Sequence, residues 1–202
     1  MKIAIYGASG MIGSRVAAEA VRRGHEVVGI TRSGGELPDG VRAVVGSAND
    51  AVAVKEVAAS ADVVVSAMGP SRTGGDPQEF VEAVGNLIAA VGGARLVVVG
   101  GAGSLVADGK RLVDSPEFPE VYKAEALTLS AVLETLRATG ASLDWTYLSP
   151  APVIAPGERT GVFKLGLDEV VGGEISAEDY AVALLDEIEK PAHRRRRFTL
   201  AY

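Results

Sequence analysis

A glycine-rich stretch at the start of the chain, residues 2–15 (KIAIYGASGMIGSR), constrains the fold more than any other feature of the sequence. Its first part, Lys2–Tyr6, is short and mostly apolar, which predicts a β-strand. Gly7, Gly10 and Gly13 follow, and apolar residues then recur at helical spacing. A strand, a glycine turn and a helix in this order form a phosphate-binding unit, because glycine permits close backbone approach and the helix start presents free N–H groups. The stretch therefore predicts a pyrophosphate site, although a glycine turn can also simply join two elements.

Strand and helix patterns alternate along the rest of the chain. Further strands are predicted at residues 25–32, 41–45, 62–67, 95–100, 144–148 and 198–202. Helices are predicted between them, capped by Asn49 or Asp50, by Asp76 and by Ser176, with one more at about 122–139. This order predicts an α/β fold, with a Rossmann-like, doubly wound and mainly parallel sheet that carries helices on both faces. Residues 106–121 are expected to be irregular.

The helical periodicity stops after Pro150. The segment APVIAPGERTGVFKLG (151–166) is rich in turn residues and predicts an extended arm or a small hairpin over the edge of the sheet. No repeat or low-complexity linker interrupts the chain. Residues 1–202 are therefore expected to form a single domain, in which about 150–175 make an arm on the substrate side.

Composition excludes several classes of function. The chain has 202 residues, of which 48% are hydrophobic, and no cysteine, so disulfides, thiolate metal sites and a cysteine nucleophile are ruled out. His25 and His193 stand apart from any acidic cluster, so no metal site is predicted. The net charge of −6 argues against nucleic acid or an anionic membrane as a partner. The basic run His193–Arg197 is interpreted as a solvated turn, and the lack of a signal peptide or long apolar run predicts a cytoplasmic protein.

The end of the second predicted strand carries an arginine, Arg32, in the sequence Thr31-Arg32-Ser33. An NAD site usually has Asp or Glu there, which accepts hydrogen bonds from the ribose 2′-hydroxyl. A guanidinium would instead pair with a 2′-phosphate, and no carboxylate stands next to it in the sequence. Arg32 therefore predicts NADP(H) as the preferred cofactor, with NAD(H) and a plain surface arginine as the alternatives.

Six segments together give the chain a resemblance to a known family. They are GASGMIG (7–13), TRS (31–33), VVGGAGSL (98–105), DWTYLSPA (144–151), PGERTG (156–161) and ISAEDYA (175–181). The chain resembles an atypical short-chain dehydrogenase/reductase, and within that group the NAD(P)H-flavin reductase family, which is related to biliverdin-IXβ reductases and NmrA-like proteins. The resemblance covers nearly the whole chain and implies a Rossmann fold with a nicotinamide dinucleotide.

The resemblance also implies which positions contact that dinucleotide. For the pyrophosphate they are Gly7, Ser9, Gly10, Met11 and Ile12. Arg32 would bind the adenosine phosphate, and Asn49 or Asp50 would lie beside the adenine. The ribose next to the nicotinamide would be approached by Ala67, Met68 and Gly69, and the nicotinamide itself by Gly101, Ala102 and Pro150.

The chain departs from the wider superfamily at the catalytic pair Tyr-x-x-x-Lys. Tyr122 would need a lysine four residues on, where Ala126 stands, and Lys123 points about 100° away on a helix. A tyrosine without that lysine keeps a pKa near 10 and is a poor acid–base catalyst at neutral pH. Hydride transfer to a flavin or quinone requires less acid–base catalysis from the protein, because the cofactor carries the hydride. Tyr122 and Ser104 remain the catalytic candidates.

These observations favour an NADPH-dependent oxidoreductase that transfers hydride to a flavin, a quinone or a similar planar acceptor. A non-catalytic, NmrA-like regulator that senses the dinucleotide is the first alternative. An epimerase or dehydratase of the atypical class is the second, and Ala126 speaks against it.

Overall fold

The computed structural model describes residues 1–71 and 74–202. Its strands are β1 (Lys2–Tyr6), β2 (Glu26–Thr31), β3 (Arg42–Val45), β4 (Val63–Ser66), β5 (Arg95–Val99), β6 (Val106–Ala107), β7 (Lys110–Arg111), β8 (Trp145–Ser149), β9 (Val153–Ala155), β10 (Lys164–Gly166), β11 (Glu174–Ser176) and β12 (Arg196–Ala201). Its α-helices are α1 (Met11–Arg22), α2 (Ala51–Ala59), α3 (Pro77–Ala90), α4 (Glu120–Ala138) and α5 (Ala177–Glu189).

Eight strands form one sheet in the order β10-β12-β8-β5-β4-β1-β2-β3. All neighbours in it are parallel except β10 and β12, which are antiparallel. The chain starts in the middle at β1, runs outward to β3, and then crosses to β4 on the other side. This reversal beside β1 confirms the predicted doubly wound sheet and leaves a crevice at the carboxyl ends of the strands.

Helices cover both faces of the sheet. On one face α1 packs against α5, and on the other α3 packs against both α2 and α4. All four residues of β4, Val63–Ser66, are buried because both of its faces are covered. No helix in the described part of the chain combines the length and apolarity needed to cross a membrane.

The arm after Pro150 is built from short strands that do not form the simple hairpin considered from sequence. β9 pairs in parallel with β11, and β10 extends the main sheet at its edge. Buried carboxylates fix the arm: Asp179 accepts hydrogen bonds from Thr160 Oγ1 at 2.5 Å and from the Gly161 N–H at 2.7 Å. Glu19 accepts two from Arg159, each at 3.0 Å. Burial would raise the pKa of Glu19, but the arginines around it hold this pKa below its ordinary value.

Three sequence-based predictions need correction. Residues 106–121 are not irregular throughout, because β6 and β7 form a small antiparallel hairpin and Leu112–Asp114 is a 3-10 turn. The helix predicted from about 122 begins two residues earlier, after Pro119. The run 193–197 is not a fully solvated turn, since the Arg197 residue is only 4% exposed. Its charge is tolerated there because the Asp168 carboxylate accepts hydrogen bonds from it.

Candidate active site

The glycine turn after β1 packs too closely for side chains. Gly7 has a φ of +78°, and a Cβ there would lie 2.6 Å from the carbonyl oxygen of Ala67 at the end of β4. A Cβ on Gly13, in the first turn of α1, would lie 2.1 Å from the Gly7 carbonyl oxygen. These contacts hold the turn between the start of α1 and the end of β4 with only backbone between them.

The start of α1 offers unpaired hydrogen-bond donors. Gly10 is its N-cap and, having no side chain, makes no capping hydrogen bond. Among the described residues nothing accepts from the N–H groups of Met11 and Ile12, which carry the positive end of the helix dipole. A turn without side chains beside free N–H groups fits a pyrophosphate, so the structure has the cradle that a dinucleotide needs.

Arg32 follows the last residue of β2, and its exposed side chain has no partner within residues 1–71 and 74–202. The loop that it begins lies against the glycine turn, because a Cβ on Gly35 would come within 3.0 Å of Ser9 Cβ. The guanidinium is therefore free to pair with a phosphate carried by a nucleotide in that turn.

The two adenine-side candidates have different surroundings. Asn49 is exposed, while Asp50 Oδ1 accepts hydrogen bonds from the N–H groups of Val52 and Ala53, at 3.1 Å each. Asp50 is thus the cap of α2, one of the two residues proposed for that role from sequence. A contact of either residue with adenine stays a prediction.

A cleft of about 840 Å³ opens at the same edge of the sheet. It brings together many of the predicted site residues: Met11, Ile12, Ala67, Met68, Gly69, Gly101, Ala102, Tyr122 and Pro150. The candidates Gly7, Ser9, Gly10, Arg32, Asn49 and Asp50 are not part of its lining. The start of α1 belongs to the cleft wall, so the glycine turn and the cleft form one continuous site.

Helix α4 supplies a wall of the cleft that sequence reasoning largely missed. Tyr122, Glu125, Ala126 and Leu129 all line it, and they share one helix face because they stand three, four and seven residues apart. In the sequence, this face could have been found by counting three, four and seven residues on from Tyr122. Other lining residues were not predicted: Leu112, Phe118, Val153, Ile154 and Tyr180. They come from the segment between β5 and α4, from the arm and from α5, and their meeting in one cleft depends on contacts between segments that are distant in the sequence.

A buried phenol ties the loop after β5 to this wall. The Tyr147 hydroxyl donates to the Leu129 carbonyl oxygen and accepts from the Gly101 N–H, both at 3.0 Å. A Cβ on Gly100 would lie 2.0 Å from the Tyr147 ring, so only glycine fits there. Burial raises the pKa of Tyr147 to about 12, which keeps the phenol neutral. Besides filling the core, Tyr147 therefore positions Gly101.

The two catalytic candidates lie in different places. Ser104 is turned away from the cleft: its Oγ accepts a hydrogen bond from Arg197 Nη1 at 3.1 Å and it does not line the cavity. The structure thus corrects the prediction for Ser104, whose hydroxyl holds a buried arginine instead. Tyr122 lines the cleft and is 51% exposed, while Lys123 pairs with Glu120 at 3.5 Å. The described lining contains no lysine, arginine or histidine that could serve Tyr122 as a proton partner.

The fold and the site together define a dinucleotide-binding α/β protein. A family model for NAD(P)H-binding proteins matches residues 7–191, so the chain belongs to the NAD(P)H-binding family. This match confirms the resemblance to atypical short-chain dehydrogenase/reductases that the six segments indicated.

Three similar proteins span the same length. A candidate exported protein of Burkholderia pseudomallei is 44% identical, with a TM-score of 0.89 and 100% of both chains covered. Protein YwnB of Bacillus subtilis (strain 168), described as uncharacterised, is 40% identical over 99% of this chain and 98% of its own. SP1627 of Streptococcus pneumoniae TIGR4, a candidate NADH-flavin reductase, is 33% identical, with a TM-score of 0.88 and coverage of 99% and 98%.

Proposed function

We propose that this protein is an NADPH-preferring reductase that transfers hydride to a flavin, a quinone or another planar acceptor in the cytoplasm. The observation that carries the proposal is the continuity between the glycine turn and a largely apolar cleft, since Met11 and Ile12 belong to both. The relative described as a candidate NADH-flavin reductase supports the same reaction class. NADPH, when bound, supplies the hydride, so the chain has to bind and orient the two reactants.

The residues of the site are suited to binding and orienting the two reactants. The N–H groups at the start of α1 and the Arg32 guanidinium would hold the phosphates. Gly101, held in place by Tyr147, and Pro150 would support the nicotinamide end. Phe118, Tyr122 and Ile154 would hold a flat acceptor and exclude water from it. Burial raises the pKa of Tyr180 well above 10, so this phenol also stays neutral and contributes shape rather than a proton.

Replacing Arg32 with alanine is expected to raise the KM for NADPH by about 10- to 100-fold, because a charged hydrogen bond to phosphate contributes roughly 1.5–3 kcal/mol. The KM for NADH should change little, since NADH lacks the 2′-phosphate. Steady-state oxidation of both cofactors with riboflavin or menadione as acceptor measures the effect.

Arg42→Ala is the matched control for this measurement. Arg42 is an exposed arginine at the amino end of β3, opposite the site, so its loss removes the same charge without touching the cleft. Tighter binding of NADH than of NADPH by the unmodified protein would contradict the assignment of Arg32. Saturable NADPH binding without turnover on any flavin or quinone would favour the regulator instead.

Tyr122→Phe is expected to leave kcat within about 2-fold of the unmodified protein, because the described lining holds no lysine, arginine or histidine that could act as a proton partner for this hydroxyl. The KM for the acceptor should rise modestly if the hydroxyl touches it. Anaerobic kinetics between about pH 6 and pH 9 provide the test, with kcat almost independent of pH in both proteins. A loss of 100-fold or more would show that Tyr122 transfers a proton after all.

A further inference from the structure

A second cavity lies at the edge of the sheet, between the end of α4, β8, β12 and the segment after β10. It has a volume of about 300 Å³, and none of the described residues lines both this cavity and the cleft. Its lining includes an aromatic residue and five charged ones: Trp145, Arg137, Asp168, Arg195, Arg196 and Arg197. Nothing in the proposed reductase reaction uses them.

The charges around this cavity are strongly unbalanced. Four arginines line it against one carboxylate, Asp168, in a chain whose net charge is −6. Asp168 is already shared, because its Oδ1 accepts from Arg137 Nη2 at 2.9 Å and from Arg197 Nε at 2.9 Å. In the part of the chain that the structure describes, the ion pairs of the run 193–197 are made by His193, Arg194 and Arg197, and not by Arg195 or Arg196. Two guanidinium groups are thus left for a ligand of negative charge.

Two observations show that the cavity is a built feature rather than loose surface charge. Arg197 is 4% exposed, and its Nη1 also donates to Ser104 Oγ, so its guanidinium is held from two sides. Arg195 adopts a φ of +54°, which is uncommon for a residue other than glycine, and its N–H donates to the Trp145 carbonyl oxygen at 2.6 Å. The backbone therefore fixes where the Arg195 side chain starts.

Trp145 adds an aromatic ring at the same place. It lines the cavity, it is 2% exposed, and its buried indole Nε1–H has no acceptor among the described residues. Because this nitrogen has almost no accessible surface, the indole contributes its ring to the cavity wall and not a donor to a ligand.

We propose that this cavity binds a phosphate-type oxyanion, free or as part of a small molecule, through Arg195, Arg196 and Arg197, beside the Trp145 ring. Guanidinium groups suit such a ligand because their planar N–H pairs match its oxygens and stay charged at every physiological pH. The volume exceeds what one oxyanion fills, so pyrophosphate should bind more tightly than inorganic phosphate.

Trp145 is the one tryptophan of the chain, so its fluorescence reports on this cavity directly. Titration with pyrophosphate and with inorganic phosphate, at constant ionic strength and without dinucleotide, should give a saturable change in emission. Arg195→Asn and Arg196→Ala should each raise the dissociation constant of pyrophosphate by about 10-fold or more. Asparagine is chosen at 195 because it tolerates a positive φ. Both side chains are exposed, so the variants should fold.

Two controls separate this site from others. Arg194→Asn removes the same charge from the same run at a residue that pairs with Asp144 and does not line the cavity. Calorimetry with saturating NADPH, which would occupy the glycine turn, is the second control. Under that condition Arg194→Asn should bind pyrophosphate as the unmodified protein does. The proposal is overturned if the unmodified protein gives no saturable response, or if Arg194→Asn weakens binding as much as the two test variants do.

Discussion

Gly13→Ala is expected to raise the dissociation constant for NADPH by about 100-fold or more. The new Cβ would lie 2.1 Å from the Gly7 carbonyl oxygen, and neither atom can rotate away, because the oxygen belongs to the backbone and the position of a Cβ is fixed by it. The glycine turn must then move from the start of α1, and the phosphates lose hydrogen bonds that contribute roughly 1.5–3 kcal/mol each. Titration of NADPH fluorescence on the purified variant, with circular dichroism to confirm the fold, measures this effect.

Gly85→Ala is the matched control, because the same methyl group enters another helix at a position with open space around it. No atom lies within 4 Å of a Cβ on Gly85, which is exposed in the middle of α3. Alanine is the better helix former there, so this variant should be more stable by up to about 1 kcal/mol, with NADPH binding unchanged. Equal NADPH affinity in both variants would contradict the close packing of the turn.

Glu187→Ala is expected to lower the free energy of unfolding by about 3–5 kcal/mol. The carboxylate is buried and accepts hydrogen bonds from Arg95 Nη2 at 2.5 Å and from the His193 N–H at 2.9 Å and Nδ1 at 2.8 Å. Its removal would leave the buried Arg95 charge without its closest counter-charge. Urea unfolding measures the loss, and Glu134→Ala, which removes an exposed carboxylate paired with Arg137, should cost less than about 0.5 kcal/mol.

The effect of Glu187 should depend on pH in a defined direction. Burial would raise the pKa of Glu187, but hydrogen bonds from His193 and Arg95 outweigh it and hold this pKa below the ordinary 4.5. When the pKa of a carboxyl is lower in the folded than in the unfolded chain, its ionised form stabilises the folded state. This stabilisation is complete at a pH above the unfolded-state pKa and is lost as the pH falls through the folded-state pKa. The stability difference between the two proteins should therefore be largest near neutral pH and narrow below about pH 4.5. An equal difference at pH 7 and pH 4 would contradict this role.

The parts of the site that local sequence determines were predictable. Gly7, Gly10 and Gly13 indicated the turn because strand, glycines and helix are consecutive in the chain. Arg32 could be placed at the same edge of the sheet as the glycine turn because β1 and β2 are parallel and both end there. The missing lysine at Ala126 was equally visible, since a helix relates residues four apart.

Contacts between distant segments were not predictable from the same patterns. Ser104 was expected at the cleft because it follows β5, yet Arg197 on β12 draws its hydroxyl away. That pairing joins residues 93 positions apart, and no local period encodes it. The burial of Arg197 itself depends on Asp168, which the arm brings in from a third segment. A run of arginines suggests a solvated loop, because the sequence alone does not show that Asp168 pairs with Arg197.

The fixed arm has a consequence for how acceptors are chosen. Asp179 and Glu19 hold residues 159–161 of the arm against α5 and α1 through hydrogen bonds. An enzyme whose site is preformed discriminates between substrates by how well they fit it, and not by a conformational change that the correct substrate induces. For the proposed reductase, flat molecules of similar outline would then be alternative acceptors, selected by the shape of the cleft.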